Sequence, residues 1–200
     1  MSKPHIAIII GSTRKSRWAD TPAQWLLAEA QKRSDMTFEL VDLRDFDLPF
    51  FDEVASSAWV PSTDDRAVAW QQKVAEFDGY IFVTPEYNHA ITGVLKNALD
   101  QAFKEWNRKP GTAFGYGGVG AARAIEGLRT IMVELQMAPI AKAVHLAASD
   151  FFKASPLGAN GGMDAVAETL RPSVTAMLDD LSWWAHATRA ARQADLAEAA

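Results

Sequence analysis

The apolar run Ile6-Ala7-Ile8-Ile9-Ile10, which ends at Gly11, is the feature that most constrains how this chain can fold. The run is short, continuous and rich in β-branched residues, as expected for a strand that is buried on both faces of a parallel sheet. Gly11 allows the chain to turn sharply where a Cβ atom would be in the way. The other elements are therefore expected to be arranged around this strand.

Hydroxyl and guanidinium groups follow the strand at once. Ser12, Thr13 and Ser16 supply hydroxyls, and Arg14 supplies a planar set of donors that suits phosphate. A helix that begins near Ser16 would add free N–H groups and its positive dipole end at the same place. These residues predict a phosphate-binding loop. The alternative interpretation is an ordinary strand-to-helix turn with a serine cap and a solvated arginine.

Composition restricts the class of ligand. The 200 residues fit a single α/β domain over residues 1–200, and no apolar run approaches the roughly 20 residues of a membrane span. The first five residues lead directly into the strand and leave no room for a signal peptide, and the absence of cysteine is compatible with a cytoplasmic location. A net charge of −5 argues against nucleic acid, so Arg14 and Arg17 indicate a small anionic ligand.

Predicted strands alternate with predicted helices along the whole chain. The strands are expected at 6–10, 37–43, 79–84, 112–116 and 142–147, and the helices at 18–32, 64–77, 92–106, 121–136 and 165–194. Residues 45–53 and 149–163 are expected to be irregular connections. This alternation predicts a flavodoxin-like three-layer α/β sandwich with a five-stranded parallel sheet in the order 2-1-3-4-5.

The ligand site of such a sheet lies at the carboxyl ends of strands one and three, which here are Gly11 and Thr84. Pro85-Glu86-Tyr87-Asn88 follows Thr84 and can direct backbone N–H groups at a heterocycle, while Tyr87 offers a stacking edge. A helix-entry loop with an exposed tyrosine is an equally good interpretation of its spacing.

Gly115-x-Gly117-x-x-Gly120 formally matches a dinucleotide-binding motif, but it follows the fourth strand rather than the first. We therefore interpret the stretch from Tyr116 through Gly117 and Gly118 as a glycine loop that lets backbone approach a flat ring. His89 and His145 have no acidic or histidine partners at metal-ligand spacing, so no metal site and no catalytic side chain are predicted.

Four groups of residues together resemble the NAD(P)H-dependent FMN reductase family, which includes flavodoxin-like quinone and azo-dye reductases. They are Gly11-Ser12-Thr13-Arg14 with Ser16, Asp42-Leu43 with Leu48-Pro49, Pro85-Glu86-Tyr87-Asn88 with Gly93-Val94-Leu95-Lys96-Asn97-Ala98, and Tyr116-Gly117-Gly118-Val119-Gly120 with Arg123. The resemblance implies one non-covalent FMN per subunit, NADPH or NADH as co-substrate, and a flavin, quinone, azo or nitro compound as acceptor. It also implies a homodimer or homotetramer.

The same resemblance implies roles for single residues. Ser12, Arg14 and Ser16 would bind the FMN phosphate, Pro85 to Asn88 would line the isoalloxazine ring, and Gly117 and Gly118 would approach its other edge. Thr92 and Gln101 depart from the family pattern, in which proline is frequent at the first position and an aromatic residue is common at the second. A flavodoxin-type electron carrier that binds FMN without using a nicotinamide is the alternative function, and a protein that has lost the flavin is a third.

Overall fold

A computed structural model describes residues 3–198. Residues 1 and 2, which belong to the start that was predicted to have no signal peptide, lie outside the described residues. The strand segments are β1 His5–Ile10, β2 Thr37–Asp42, β3 Gly79–Pro85, β4 Pro110–Tyr116, β5 Ala138–Pro139 and β6 Val144–Leu146. The helices are α1 Asp20–Ala30, α2 Asp65–Ala75, α3 Gly93–Asp100, α4 Ala122–Glu134, α5 Ala148–Ala154 and α6 Ala167–Glu198. Short 3₁₀ helices occur at Leu43–Asp45 and Met163–Val166. None of the described helices is both long and apolar enough to cross a bilayer.

All strand pairings in the sheet are parallel, and the order β2-β1-β3-β4-β5 confirms the predicted fold. The predicted fifth strand at 142–147 needs a correction, because two short segments share its position beside β4. Pro139 ends the first segment and has no N–H with which to continue the ladder. The chain rejoins β4 only at Val144, opposite Phe114.

Side chains of β1 alternate between two apolar cores, one on each face of the sheet. Ile6, Ile8 and Ile10 pack with α1 and α6, whereas Ala7 and Ile9 pack with residues of α2, α3 and α4. All five are at most 4% exposed. Burial on both faces explains why the strand is apolar at every position, and it places the end of β1 in the middle of the sheet edge.

Two predicted helix boundaries are wrong. The first helix begins at Asp20 rather than at Trp18, and the residues before it form a separate turn in which the N–H of Arg17 donates to the carbonyl of Arg14 (3.1 Å). The third helix ends at Asp100 rather than Trp106. The chain turns back there to bury Trp106 completely, and its indole N–H donates to the carbonyl of Leu99 (3.2 Å).

The predicted connection at 149–163 contains α5, whose Phe151 and Ala154 face the core. Its seven residues are too few for a sequence period to be legible beside the glycines and proline that follow. The predicted loop at 45–53 packs Phe46 against Trp70 (ring centroids 4.9 Å apart), but it leaves Phe50 84% exposed.

Candidate functional site

The carboxyl ends of β1, β3 and β4, together with the segment after β6, enclose a cavity of about 460 Å³. Eight of the predicted site residues line it: Arg14, Ser16, Pro85, Glu86, Tyr87, Tyr116, Gly117 and Gly118. Five further residues line it that the sequence did not indicate: Trp18, Phe151, Ser155, Pro156 and Leu157. The predicted residues Ser12, Thr13, Arg17 and Asn88 lie in the same loops but not on the cavity wall.

Arg17 stabilises the loop after β1 from behind. Its guanidinium donates to the carbonyl of Ser12 (2.7 Å), to Asp42 Oδ1 (2.6 Å) and through Nε to Asp20 Oδ2 (2.9 Å), and its side chain is 3% exposed. The hydrogen bond to Asp42, aided by Asp20, raises the pKa of Arg17 against the effect of burial. The remaining nitrogen, Nη2, donates to the carboxylates of Asp20 and Asp42. All three guanidinium nitrogens therefore donate within the protein, and Arg17 holds the loop in place.

A second guanidinium, that of Arg44, donates to the carbonyls of Thr13 and Arg14. Three successive carbonyls of the loop, those of Ser12, Thr13 and Arg14, thus point at Arg17 or Arg44. The two cations therefore hold the backbone of this loop in place from the protein side.

Arg14 is exposed and lies over the ring of Tyr87, with 5.4 Å between the guanidinium carbon and the ring centroid. This contact joins the loop after β1 to the loop after β3 across the cavity. Ser16 is exposed beside it, whereas Ser12 is 1% exposed and its hydroxyl has no hydrogen-bond partner within residues 3–198. The dipole of α1 adds little here, since the helix begins at Asp20 with an acidic side chain in its first turn.

The loop after β3 is a tight turn. Tyr87 and Ala90 exchange both backbone hydrogen bonds (2.9 and 3.0 Å), and Asn88 and His89 between them have φ values of 51° and 69°. Two consecutive positive φ angles are those of a type I′ turn, in which asparagine is favoured. The expectation of free successive N–H groups is therefore wrong at Tyr87, whose N–H is already used.

Glu86 anchors this loop to the next one. Its carboxylate accepts hydrogen bonds from the backbone N–H groups of Arg123 (3.0 Å) and Ala124 (3.2 Å) and from Arg123 Nε (2.5 Å). Burial alone would raise the pKa of Glu86, but these hydrogen bonds outweigh burial and lower it. Glu86 thereby caps α4, whose N-cap residue Ala121 has no side chain able to do so.

Thr92 explains one of the two departures from the family pattern. Its hydroxyl donates to the carbonyl of Gly11 (2.5 Å) and accepts from the N–H of Leu95 (3.1 Å), so it caps α3 and ties β3's loop to the end of β1. The other departure, Gln101, is 2% exposed and donates to the carbonyl of Pro49 (2.8 Å).

The glycine loop after β4 leaves open space in the cavity. A Cβ atom added at Gly117 or Gly118 would meet no atom within 4 Å, although Gly117 has a φ of +135° that other residues rarely adopt. The carbonyl of Gly118 accepts from the N–H of Ala148 (3.1 Å), which ties the loop to α5. Packing within the described protein therefore does not require glycine at position 118.

Aromatic side chains also line the cavity. The ring of Trp18 packs edge-on against Tyr116 (5.6 Å between centroids) and Phe151 (5.8 Å). Burial raises the pKa of the Tyr116 phenol, so it stays protonated throughout the neutral range. The cavity lining therefore combines a cation and hydroxyl groups with aromatic surfaces and bare backbone, which suits an aromatic ligand with an anionic tail.

The two histidines discussed above lie outside this arrangement. His89 is exposed in the tight turn, and His145 Nδ1 is 2.9 Å from the carbonyl of Gly120, a structural hydrogen bond. Across residues 3–198, no three His, Asp or Glu side chains cluster closely enough to hold a metal ion.

Comparison with known proteins adds independent findings. Residues 4–150 match the family model described as NADPH-dependent FMN reductase. The chain is 35% identical to an NAD(P)H-dependent FMN reductase of Schizosaccharomyces pombe, over 72% of this chain and 74% of that protein. It is 32% identical to a 2-hydroxy-1,4-benzoquinone reductase of a Burkholderia species, over 90% and 94% of the two chains. The solved structure of FerB, an NAD(P)H:acceptor oxidoreductase of Paracoccus denitrificans, shares the fold, with a TM-score of 0.67, 21% identity and coverage of 92% and 98%.

Proposed function

This chain belongs to the NADPH-dependent FMN reductase family, and on that premise we propose that its cavity binds FMN and receives both the nicotinamide and the acceptor. The protein is an NAD(P)H-dependent oxidoreductase that uses FMN and passes reducing equivalents to small molecules such as quinones or flavins. The observation that carries the site assignment is the cavity in which Arg14, Tyr87 and Gly118 meet from three separate loops.

The residues present fit FMN. Arg14 and Ser16 line the cavity and suit a phosphate, and the buried, unpartnered hydroxyl of Ser12 lies in the same loop. Tyr87 and the open backbone at Gly118 suit a flat ring. We assign Arg17 to holding the phosphate-binding loop rather than to direct contact with the phosphate.

When bound, FMN supplies the redox chemistry by accepting a hydride equivalent from the nicotinamide and passing it to the acceptor. The chain's own residues bind and orient. Three contacts fix the loops relative to one another: the hydrogen bond from Thr92 to Gly11, the cap that Glu86 provides, and the contact of Arg14 with Tyr87.

We further propose a homodimer or homotetramer. Phe50 and Trp59 are each 84% exposed, Trp183 is 64% exposed, and large apolar side chains of this kind are often covered by a partner subunit. The sequence predicts that Trp183 and Trp184 bury their surface either in the core or at a subunit contact; both are exposed in the single chain, so the subunit contact is the alternative that we propose. A cytoplasmic location is proposed on the composition argument alone.

Purified protein tests the proposal directly. We expect a yellow protein that oxidises NADPH or NADH when a quinone or free flavin is supplied. A yellow protein inert to both nicotinamides would indicate an electron carrier, and a colourless protein that ignores added FMN would contradict both functions. Steady-state turnover with both nicotinamides would also reveal which one is preferred.

Arg14→Ala tests the phosphate assignment. We expect FMN binding to weaken by about 1.5–3 kcal/mol, the range for a hydrogen bond to a charged group. Lys15→Ala is the matched control, because Lys15 is the neighbouring exposed cation and does not line the cavity. Equal FMN affinity of the Arg14 variant and the wild type in a fluorescence titration would refute the assignment.

A further inference from the structure

The outer wall of the cavity comes from a part of the chain that the family model does not cover. The model match ends at residue 150, whereas Phe151, Ser155, Pro156 and Leu157 all line the cavity. The N–H of Ala148 donates to the carbonyl of Gly118, so this segment is held in register with the glycine loop. The segment is therefore part of the site by geometry, although the motifs of the family do not include it.

Ser155 is the polar side chain that this segment brings to the cavity. The residue is 1% exposed, and its hydroxyl has no hydrogen-bond partner anywhere in residues 3–198. A buried hydroxyl without a partner destabilises a protein, and in native structures such groups call for an explanation.

The backbone around Ser155 does not supply that partner. The N–H of Ser155 donates to the carbonyl of Phe151 (2.9 Å), which is the acceptor a serine hydroxyl at a helix end commonly uses. The following residue, Pro156, has no N–H to donate. The carbonyl of Ser155 accepts from the N–H groups of Gly158 and Asn160 (both 3.1 Å), which fixes the residue on the wall.

We propose that the Ser155 hydroxyl forms a hydrogen bond with the bound flavin nucleotide, as a cofactor-positioning contact from outside the motifs of the family. The proposal rests on the proposed function, namely that FMN occupies this cavity. It gives the buried hydroxyl a partner that is present only in the loaded protein. It also pairs Ser155 with Ser12, the other buried, unpartnered hydroxyl at this edge of the sheet.

Ser57 provides a matched control. Its hydroxyl is also buried and without a partner in the described chain, but it lies in the loop between β2 and α2 and does not line the cavity. Replacing either serine by alanine removes the same hydroxyl group. A difference in FMN affinity between the two variants therefore reflects where the hydroxyl lies and not the loss of a hydroxyl as such.

The test is a titration of wild-type, Ser155→Ala and Ser57→Ala apoprotein with FMN and with riboflavin, followed by flavin fluorescence. We expect Ser155→Ala to weaken FMN binding about five- to tenfold, the effect of one hydrogen bond. Ser57→Ala should change it less than about twofold. Riboflavin weakened in parallel would place the contact on the ring or ribityl chain, and riboflavin unaffected would place it on the phosphate; both support the proposal.

Thermal unfolding of the three apoproteins completes the test. We expect both variants to melt at or above the wild-type temperature, because each loses an unsatisfied buried hydroxyl. Equal FMN affinity of Ser155→Ala and wild type would overturn the inference, as would an affinity loss matched by a lower melting temperature of the apoprotein, which indicates a structural role. Failure of the wild type itself to bind FMN would instead contradict the proposed function.

Discussion

Thr92→Val isolates the tie between the first and third strand ends. Valine nearly matches threonine in shape, so the substitution removes only the hydroxyl that donates to the carbonyl of Gly11 and accepts from the N–H of Leu95. The site is 3% exposed, so water has little access to replace either hydrogen bond.

The expected loss follows from these two bonds. Removing an N-cap side chain costs about 0.5–2 kcal/mol, and leaving a buried carbonyl without this donor costs about 1–3 kcal/mol. We therefore expect the free energy of unfolding to fall by about 2–4 kcal/mol. For a chain of this size that corresponds to a melting temperature lower by roughly 5–15 °C.

Urea unfolding of the apoprotein measures the change, with Thr92→Ser as the control. Serine keeps both hydrogen bonds and loses only a buried methyl group, so its loss should stay near 1 kcal/mol. FMN affinity should also fall in the valine variant, because the phosphate-binding loop is released at Gly11. A valine variant as stable as the serine variant would refute the claim that the hydroxyl joins the two loops.

Three further changes have definite expected outcomes. Glu86→Gln should lower the free energy of unfolding by about 1.5–3 kcal/mol, and this difference should fade in acid as the pH approaches the lowered pKa of Glu86. Glu126→Gln, on the exposed face of α4, is the control and should change the free energy of unfolding by less than about 0.5 kcal/mol. Equal urea midpoints for the two variants would contradict the capping role of Glu86. Gly118→Ala should leave the stability of the apoprotein nearly unchanged and weaken FMN binding at least about tenfold. Gly127→Ala, at an equally open position within a helix, should stabilise the protein by up to about 1 kcal/mol without affecting FMN binding. Intact FMN binding in the Gly118 variant would be incompatible with the proposed ring site. Burial, aided by a nearby arginine, lowers the pKa of Lys109 to about 8. The unfolded chain therefore binds more protons than the folded chain between pH 8 and 10.5, so the free energy of unfolding should rise with pH by about 3 kcal/mol in this range. Lys109→Met should flatten this rise in urea titrations, and an unchanged dependence on pH would rule the mechanism out.

The strands that carry the site were predictable because their burial is almost complete. β1, β3 and β4 are buried at nearly every position, and in β1 and β3 this burial produces the continuous apolar run that is typical of such strands. Once the order of a parallel sheet is known, its carboxyl edge is known too. The convergence of Arg14, Tyr87 and Gly118 on one cavity followed from that topology.

What the sequence could not reveal was set by contacts between distant residues. Arg17 looked like a second phosphate ligand, but Asp42 at the end of β2, 25 positions away, takes up its guanidinium. Glu86 looked like a ring-facing residue, yet it caps a helix 37 positions further on. Asp42 and Arg123 belong to the residue groups that resemble the family, but their spacing does not indicate which side chains they contact, so only the folded chain identifies these pairs.

The wall after β6 was missed for a different reason. A seven-residue helix followed by glycines and a proline has the composition of a loop, and the spacing of Phe151 and Ala154 was the one local sign of a buried face. Ser155 gave no signal at all, because nothing about a serine indicates whether its hydroxyl has found a partner.

The residues that line the cavity are spread between Arg14 and Leu157, on the segments that follow β1, β3, β4 and β6. During synthesis, a chain that has emerged only as far as Gly120 has the loops of β1, β3 and β4 but lacks the segment that closes the cavity. Parallel pairing also has to wait for distant strands, which makes sheets of this kind slow to form. We therefore expect flavin to bind only after the last quarter of the chain has folded, so that the yellow colour of a preparation would report a completed cavity.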